Sequence, residues 1–527
     1  MRLNTDMPES LANEPVPVLQ RLIQAFIFGL VGTLVGFFAY NAKMGLSASW
    51  IVGISVGAVG FYAAMNLGRA PRELWITFGL KFFIGVAYKL MTVAFTSFLL
   101  EDMKVSDGQE QAIFAAWGIW MSVCTLCSGG ITDALGLRKT LLIGLIICLL
   151  SRIVMVSSDQ LWVVLLCGIV PVAMGEALCT PVLIAATRQF TTPTQRSVAF
   201  SVIYAVLNMS FMVAYFLRDG ITSALVGQGN VLNLGFIHAS PREALFIAGV
   251  AFEIVALPLV WLMRDERVAK EVQAVSKHWL DSLKESLKEM GKLFGLMLGN
   301  KVFHRLLVFL LLIGMLKIVF SLMDSVMPIF AKREMGEEAA NSVGRLNAVN
   351  SILIMILAPV MGVWTRRFSA YSMVVWGGLL TALSFVFMAL PSSLFEGMAA
   401  GSLGDWFGRG YLGIKEHVHP YVMMILFWQI LLSIGEAIYS PRVSEYAVSI
   451  APSGQEASYA SLSTVPMLMS KLIGGSMTAI LLPMFMPEHG ARNPSAMWMS
   501  LGALVALSPF LLLVLRSYIK VKEEGRE

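Results

Sequence analysis

The feature that most constrains this chain is a succession of about fourteen long apolar stretches, which fill most of its 527 residues. A helix needs roughly 20 mostly apolar residues to cross about 30 Å of hydrocarbon. In lipid the backbone has no water to bond, so its polar groups must be satisfied within the segment, and spans this long are predicted to be helices. A transmembrane barrel would show short segments of alternating polarity instead, and these are absent. Composition agrees: 57% of residues are hydrophobic and 14% charged, with mean hydropathy +0.73. Soluble domains carry about 25% charged residues. An ordinary water-soluble enzyme is excluded, and a net charge of +5 gives no case for nucleic-acid binding.

Two spans come first, Leu22–Tyr40 and Ser49–Leu67, with glycines suited to close helix packing. Twelve core spans follow, at 74–100, 111–130, 139–156, 161–185, 197–217, 244–263, 305–330, 345–364, 370–390, 421–441, 459–482 and 496–515. Residues 1–20 are polar, with Asp6, Glu9 and Glu14, and do not read as a secretory signal. Basic residues gather in alternate loops: Arg138 and Lys139, Arg188 and Arg196, Arg366 and Arg367, and the tail with Arg516, Lys520 and Lys522. The loop after the first core span is mainly acidic, with Glu101, Asp102, Asp107 and Glu110. The positive-inside rule then puts both termini in the cytoplasm, for a multi-pass protein of a plasma or bacterial inner membrane.

The longest cytoplasmic segment, Arg264 to Arg305, repeats Trp279, Leu283, Leu287, Met290 and Phe294 at helical spacing, with Lys277, Lys284 and Lys288 beside them. It reads either as an amphipathic helix on the inner membrane surface or as a helix packed on neighbouring loops. It separates six core spans from six. The expected division is a tail 1–21, two extra helices in 22–70, a six-helix bundle 71–263, a linker 264–304, a second bundle 305–516 and a tail 517–527. The five cysteines all fall in spans, and Cys124 with Cys127 has no second pair, so neither a disulfide framework nor a metal site is expected.

Two segments repeat. GEALCTP, 175–181, and GEAIYSP, 435–441, occupy matching places in the fourth span of each half. This supports two bundles related by a pseudo-two-fold along the membrane normal, with a site between them. The loop GGITDALGLRKTLLIG, 129–144, has Gly129 or Gly130, Asp133, Gly136, Arg138 and Lys139 in an order that makes a tight turn with an acid placed to latch onto basic groups.

That loop resembles the signature loop of the major facilitator superfamily, with Asp133 as latch acid. Three further stretches resemble the proton-dependent oligopeptide transporter family within it. Arg196, Phe200, Ser201, Tyr204 and Asn208 follow one family pattern. Asn350, Ile354 and Pro359 follow a second. Gly435, Glu436, Ser440, Pro441, Ala451 and Pro452 follow a third. The resemblance implies an all-α membrane protein with the major facilitator fold, which with the fourteen spans counted above means two six-helix bundles plus two extra N-terminal helices; fourteen-span members of the family place the extra pair between the halves, and no cofactor is expected. The resemblance also implies proton-coupled uptake of a small solute such as a peptide or amino-acid-like compound, by alternating access. Glu436 and Ser440 match the family positions that meet the substrate amine. The chain departs from the family in its first core span, where LKFFIGVAYKLMTV carries Lys81 and Lys89 but no acid, and at Thr180, where the family has a lysine.

An ionisable group at mid-bilayer costs about 2.5–3.5 kcal/mol on insertion scales, so each is a functional candidate. They are Lys81, Lys89, Arg152, Glu176, Glu253, Lys317, Asp324, Glu436 and Lys471. Arg152, Glu253 and Lys471 are expected as structural partners of neighbouring helices, and Lys81 either gates or snorkels to the interface. Substrate contact is expected from Glu436, Ser440, Glu176, Lys89, Tyr204 and Asn208. Coupling or gating is expected from Asp324, Lys317 and Lys81, and the cytoplasmic latch from Asp133, Arg138 and Lys139. Lys317 and Asp324 are seven residues apart and should share a face. Lys89 on one half should pair with Glu436 or Asp324 on the other. The competing readings are an exporter or facilitator on the same fold and a membrane receptor without transport. No paired-carboxylate or Ser/His arrangement suggests an enzyme.

Overall fold

In the computed structural model, residues 33, 46–67, 70–191, 193–226, 232–233, 238–264, 301–364, 368–449 and 465–520 are described. The span 22–40 apart from Thr33, the amphipathic stripe Trp279–Phe294, residues 1–21 and 521–527 of the two tails, and the residues Ala451 and Pro452 lie outside them. So do Arg366 and Arg367, and the side chains of Asp133, Arg188, Arg196 and Pro359.

The described chain is almost wholly helical. Helix α1 covers Leu46–Leu67. The first half then comprises α2 Arg72–Ser97, α3 Asp107–Leu135, α4 Leu137–Ser157, α5 Val170–Gln189, α6 Pro193–Val226 and α7 Pro241–Leu262. The second half comprises α8 Lys301–Ser321, α9 Val343–Trp364, α10 Ala370–Ala389, α11 Pro420–Ser449, α12 Val465–Phe485 and α13 Pro494–Val514. Among the described residues, ten stretches are long and apolar enough to cross a membrane, and two shorter apolar helices, Val56–Met65 and Val343–Ala358, accompany them. Large apolar side chains such as Trp162, Ile480 and Phe510 stand exposed on the outside, a surface suited to lipid.

The helices start and stop where local chemistry allows. Ser106 with Gln109 and Ser240 with Glu243 form reciprocal capping boxes at α3 and α7, satisfying backbone donors that have no intrahelical partner. Gly136, at φ 82°, ends α3 and opens α4 in a single residue. A side chain there would be strained, which accounts for the glycine in the signature loop.

Several expected bounds move. α6 includes residues as far as Val226, past 217, and α8 includes Lys301–His304, which fall inside the expected linker. The connection between α10 and α11, read as a loop, folds into short helical turns at Ser392–Phe395, Glu396–Ala400 and Gly404–Tyr411.

Packing follows the two halves. In the first, α2 packs on α7 and α6, and α4 and α3 pack on α5. In the second, α10 packs on α11 and α13, and α8 packs on α12 and α13. The halves meet chiefly through α6 against α9 and α3 against α12. α1 leans on the outer side of α6, where Ala63 and Leu67 join Phe78, Val202, Ile203 and Val206.

The repeated heptad performs the same packing task twice. A Cβ on Gly175 would meet the Gly144 carbonyl oxygen at 2.7 Å, and one on Gly435 would meet the Gly377 carbonyl oxygen at 2.7 Å. Each glycine thus lets the fourth helix of its half cross the third backbone to backbone.

Candidate functional site

Polar side chains inside these apolar helices must find partners, and they gather in three places. The first lies between the halves. Lys89 on α2 donates to both carboxylate oxygens of Asp324, at 2.7 and 2.8 Å. Tyr215 on α6 adds a longer bond to the same acid at 3.3 Å, and the Lys89 ammonium rests over the Phe211 and Tyr215 rings. Asp324 sits in a wide π-type turn, Leu322–Val326, that follows α8.

Lys317 takes a different partner. It donates to Ser440 Oγ at 2.8 Å and stands near Glu436. Lys317 and Asp324, seven residues apart, serve different pairs, and Asp324 lies in the wide turn that follows α8.

Glu436, 1% exposed, accepts from Tyr204 Oη on α6 at 2.9 Å and from Asn350 Nδ2 on α9 at 3.1 Å. Asn350 Nδ2 also reaches Ser433 at 3.0 Å. Tyr204 thus joins the first half to an acid of the second. Six of the residues singled out in the sequence, Lys89, Tyr204, Lys317, Asp324, Glu436 and Ser440, meet across this interface. Asn208 spends its amide on the Tyr204 carbonyl of its own helix, at 3.0 Å. Pro441 follows Ser440 inside α11 and removes one helical donor there.

The second place lies inside the first half, and it draws Glu176 away from the interface. Arg152 on α4 is wholly buried. Its guanidinium donates to Glu176 Oε1 at 2.8 Å and to Glu253 Oε1 on α7. The second oxygen of each acid and Arg152 Nε have no hydrogen-bond partner. Cys148 lies beside both acids, with all three ligand atoms within 4.8 Å of one another. The guanidinium already supplies a cation to this group. Lys81, 4% exposed, stands near enough to Glu176 to interact with its charge.

The third place is one end of the molecule, where ion pairs tie the halves together. Lys332 reaches Glu101 at 2.8 Å and Arg333 reaches Asp107 at 2.8 Å. Asp219, 1% exposed, accepts from the backbone N–H groups of Gly344 at 3.0 Å and Arg345 at 2.6 Å. It therefore caps α9 from the opposite half, and a carboxylate suits the positive end of that helix. Gly344 makes room, since a Cβ there would meet Asp219 Oδ1 at 2.4 Å. Asp219 was missed in the sequence because the expected span stopped short of it. An acid beside Arg218, a turn or so from apolar Phe216 and Leu217, was the available signal.

At the other end, Arg138 stacks over the Trp261 ring at 5.3 Å and Lys139 is exposed.

Among solved structures, a POT family transporter in complex with 5-aminolevulinic acid matches with a TM-score of 0.62 at 16% identity, covering 86% of this chain and 97% of that one. The peptide transporter POT in complex with sulfate matches at 0.60 and 15% identity, with 85% and 95% covered. A proton dependent oligopeptide transporter matches at 0.61 and 16%, with 85% and 98% covered. At such identities the likeness is one of fold. No curated protein matches the sequence. The family model of the Major Facilitator Superfamily matches residues 77–404. That stretch is more than half of the chain and runs from α2 through α10, across the boundary between the halves. On that match, this integral membrane chain belongs to the Major Facilitator Superfamily.

Proposed function

We propose that this chain is a secondary transporter that moves a small solute by alternating access, with uptake coupled to protons. The observation that carries the reading is the bond from Tyr204, on the first half, to Glu436, on the second. A buried acid held across the two halves must change partners when they rock apart. Lys89 with Asp324 is a second such contact. A charge-assisted pair closes the passage in one state and breaks in the other. A carboxylate freed from its cation in an apolar setting favours its protonated form, which links the rocking to proton uptake.

The end tied by Lys332–Glu101, Arg333–Asp107 and Asp219 on α9 is closed. With the orientation expected from loop charge, that end faces outward. The division into bundles 71–263 and 305–516 is the one this packing supports. Relatives in fold hold 5-aminolevulinic acid and a thioalcohol conjugated peptide, and a solute of that size suits the same site here.

The test is flux of a solute library into proteoliposomes, with and without an imposed pH gradient. Uptake driven by an inward proton gradient supports symport. Acceleration by the opposite gradient means export, and binding without flux of any solute means a receptor.

A further inference from the structure

The charged groups between the halves do not balance. Lys89 is matched by Asp324, and Lys317 stands beside Glu436. Lys471 on α12 is left over. It is 4% exposed, and among the described residues no carboxylate lies within ion-pairing distance of its ammonium. Instead the ammonium rests against rings of the opposite half, 4.1 Å from the Phe114 centroid and 5.8 Å from that of Trp117.

Trp117 adds a second unused donor. Its indole Nε1–H is buried and has no hydrogen-bond partner among the described residues. A buried indole donor usually finds one. The lysine is also held firmly. A Cβ on Gly118 would meet its Cγ at 2.4 Å and its Cδ at 2.7 Å, so its stem lies directly on the α3 backbone. One helix turn along the same contact, a Cβ on Gly475 would meet Ala115 Cβ at 2.4 Å. Two buried donors and one unbalanced positive charge thus sit at the α3–α12 seam, beside the Lys89–Asp324 pair, whose charges Lys471 feels.

An isolated buried ammonium is unfavourable, and aromatic faces relieve it only in part. An anion relieves both deficits, since it brings a negative charge and acceptors for both donors. We infer that Lys471, with Trp117 beside it, receives the anionic group of the transported solute, and that the solute is an organic monoanion, such as a carboxylate or phosphate diester, rather than a neutral zwitterion. This deepens the proposed transport reading and rests on it only for the word transported.

The test has two arms, in the full-length protein and in Lys471→Met and Lys471→Arg. In the first arm, melting is followed in detergent against inorganic phosphate, with chloride at matched ionic strength. In the second, proteoliposomes take up N-acetylalanine, dialanine or alanine amide, which are an anion, a zwitterion and a cation. Phosphate should raise the wild-type melting temperature saturably, as binding to the folded state does. Lys471→Met should abolish that rise and Lys471→Arg should keep part of it. N-acetylalanine uptake should exceed that of the other two and fall roughly tenfold or more in Lys471→Met. Removing an unpaired buried charge should not by itself lower the ligand-free melting temperature, so the variant remains readable.

No phosphate effect on wild type, or an equal effect on Lys471→Met, overturns the anion site. So does dialanine uptake that is preferred and insensitive to Lys471→Met, an outcome that leaves transport standing. A Lys471-dependent phosphate effect with no flux of any solute keeps the anion site and sinks the transport reading.

Discussion

The fourth helix of each half carries the same Gly-Glu-Ala segment, and each glycine makes the same close crossing, yet the two glutamates keep different company. Glu176 is bound by Arg152 within its own half. Glu436 is bound by Tyr204 and Asn350, the first of these from the other half. Each has a lysine from the first core helix of its half nearby, Lys81 for Glu176 and Lys317 for Glu436. The difference lies one helix over. Arg152 stands eight residues after the crossing glycine Gly144, and Phe385 stands eight residues after its counterpart Gly377. Phe385 is buried against Trp428 and Trp498. With an apolar ring where the first half has a guanidinium, Glu436 lacks that partner and is bound instead by Tyr204 and Asn350. A symmetry of backbone thus carries an asymmetry of charge: one acid is paired inside a bundle and the other is held between the bundles.

The strongest way to break this comparison is to remove the brace. Arg152→Met leaves Glu176 and Glu253 buried beside each other without their shared cation, and should cost about 3–5 kcal/mol. Thermal unfolding in detergent should show it as a large drop in melting temperature. Adding Glu176→Gln and Glu253→Gln to the same variant should recover much of the loss. A single Arg152→Met variant that melts like wild type would mean that the guanidinium braces nothing.

The two acids themselves give the next largest contrast. Glu436→Gln removes the acid that is held across the two halves, so proton-driven uptake should fall roughly tenfold or more while the melting curve stays near wild type. Glu176→Gln should do the reverse, lowering the melting temperature and leaving the proton dependence of uptake alone. The opposite pattern would move the coupling acid into the first half.

The repeat can be sharpened through its glycines. Gly175→Ala and Gly435→Ala each push a methyl group to 2.7 Å from a facing backbone carbonyl, and overpacking of this kind costs about 1–3 kcal/mol. The two losses should be similar in unfolding experiments. A loss in only one half would show that the crossings are not equivalent.

The smallest effect is expected at the closed end. Asp219→Asn keeps an acceptor for the α9 backbone but removes the charge that suits that helix end, a change of about 0.5–2 kcal/mol. The balance of states should shift toward the form open at this end. Spin-label distances between the loops flanking α6 and α9 would report it, and an unchanged distance distribution would remove Asp219 from the gate.

Much of the site was legible beforehand because charge is costly in an apolar span. Lys89, Lys317, Asp324 and Glu436 stood out on that ground alone, and Tyr204, Asn350 and Ser440 through their resemblance to family segments. Glu176 stood out equally, and nothing in its heptad separates it from Glu436. Lys471 was visible as a charge but not as an unmatched one, because a charge balance requires knowing which side chains share an interface. Asp219 was hidden by a span boundary drawn on hydropathy, since the helix continues past the point where apolar residues give out.

The sequence by itself determined the class of this protein. Apolar length forces helices, because lipid offers backbone groups no other partner. The repeated heptad, with its glycine and proline, points to two like halves, because those residues act through the local backbone. Pairing was decided only in the tertiary structure. Which acid meets which base depends on the register of helix crossings, and Lys317 and Asp324, seven residues apart, end on different partners. These are relations between segments far apart in the chain, and the energy of a buried charge depends on them more than on its neighbours in sequence.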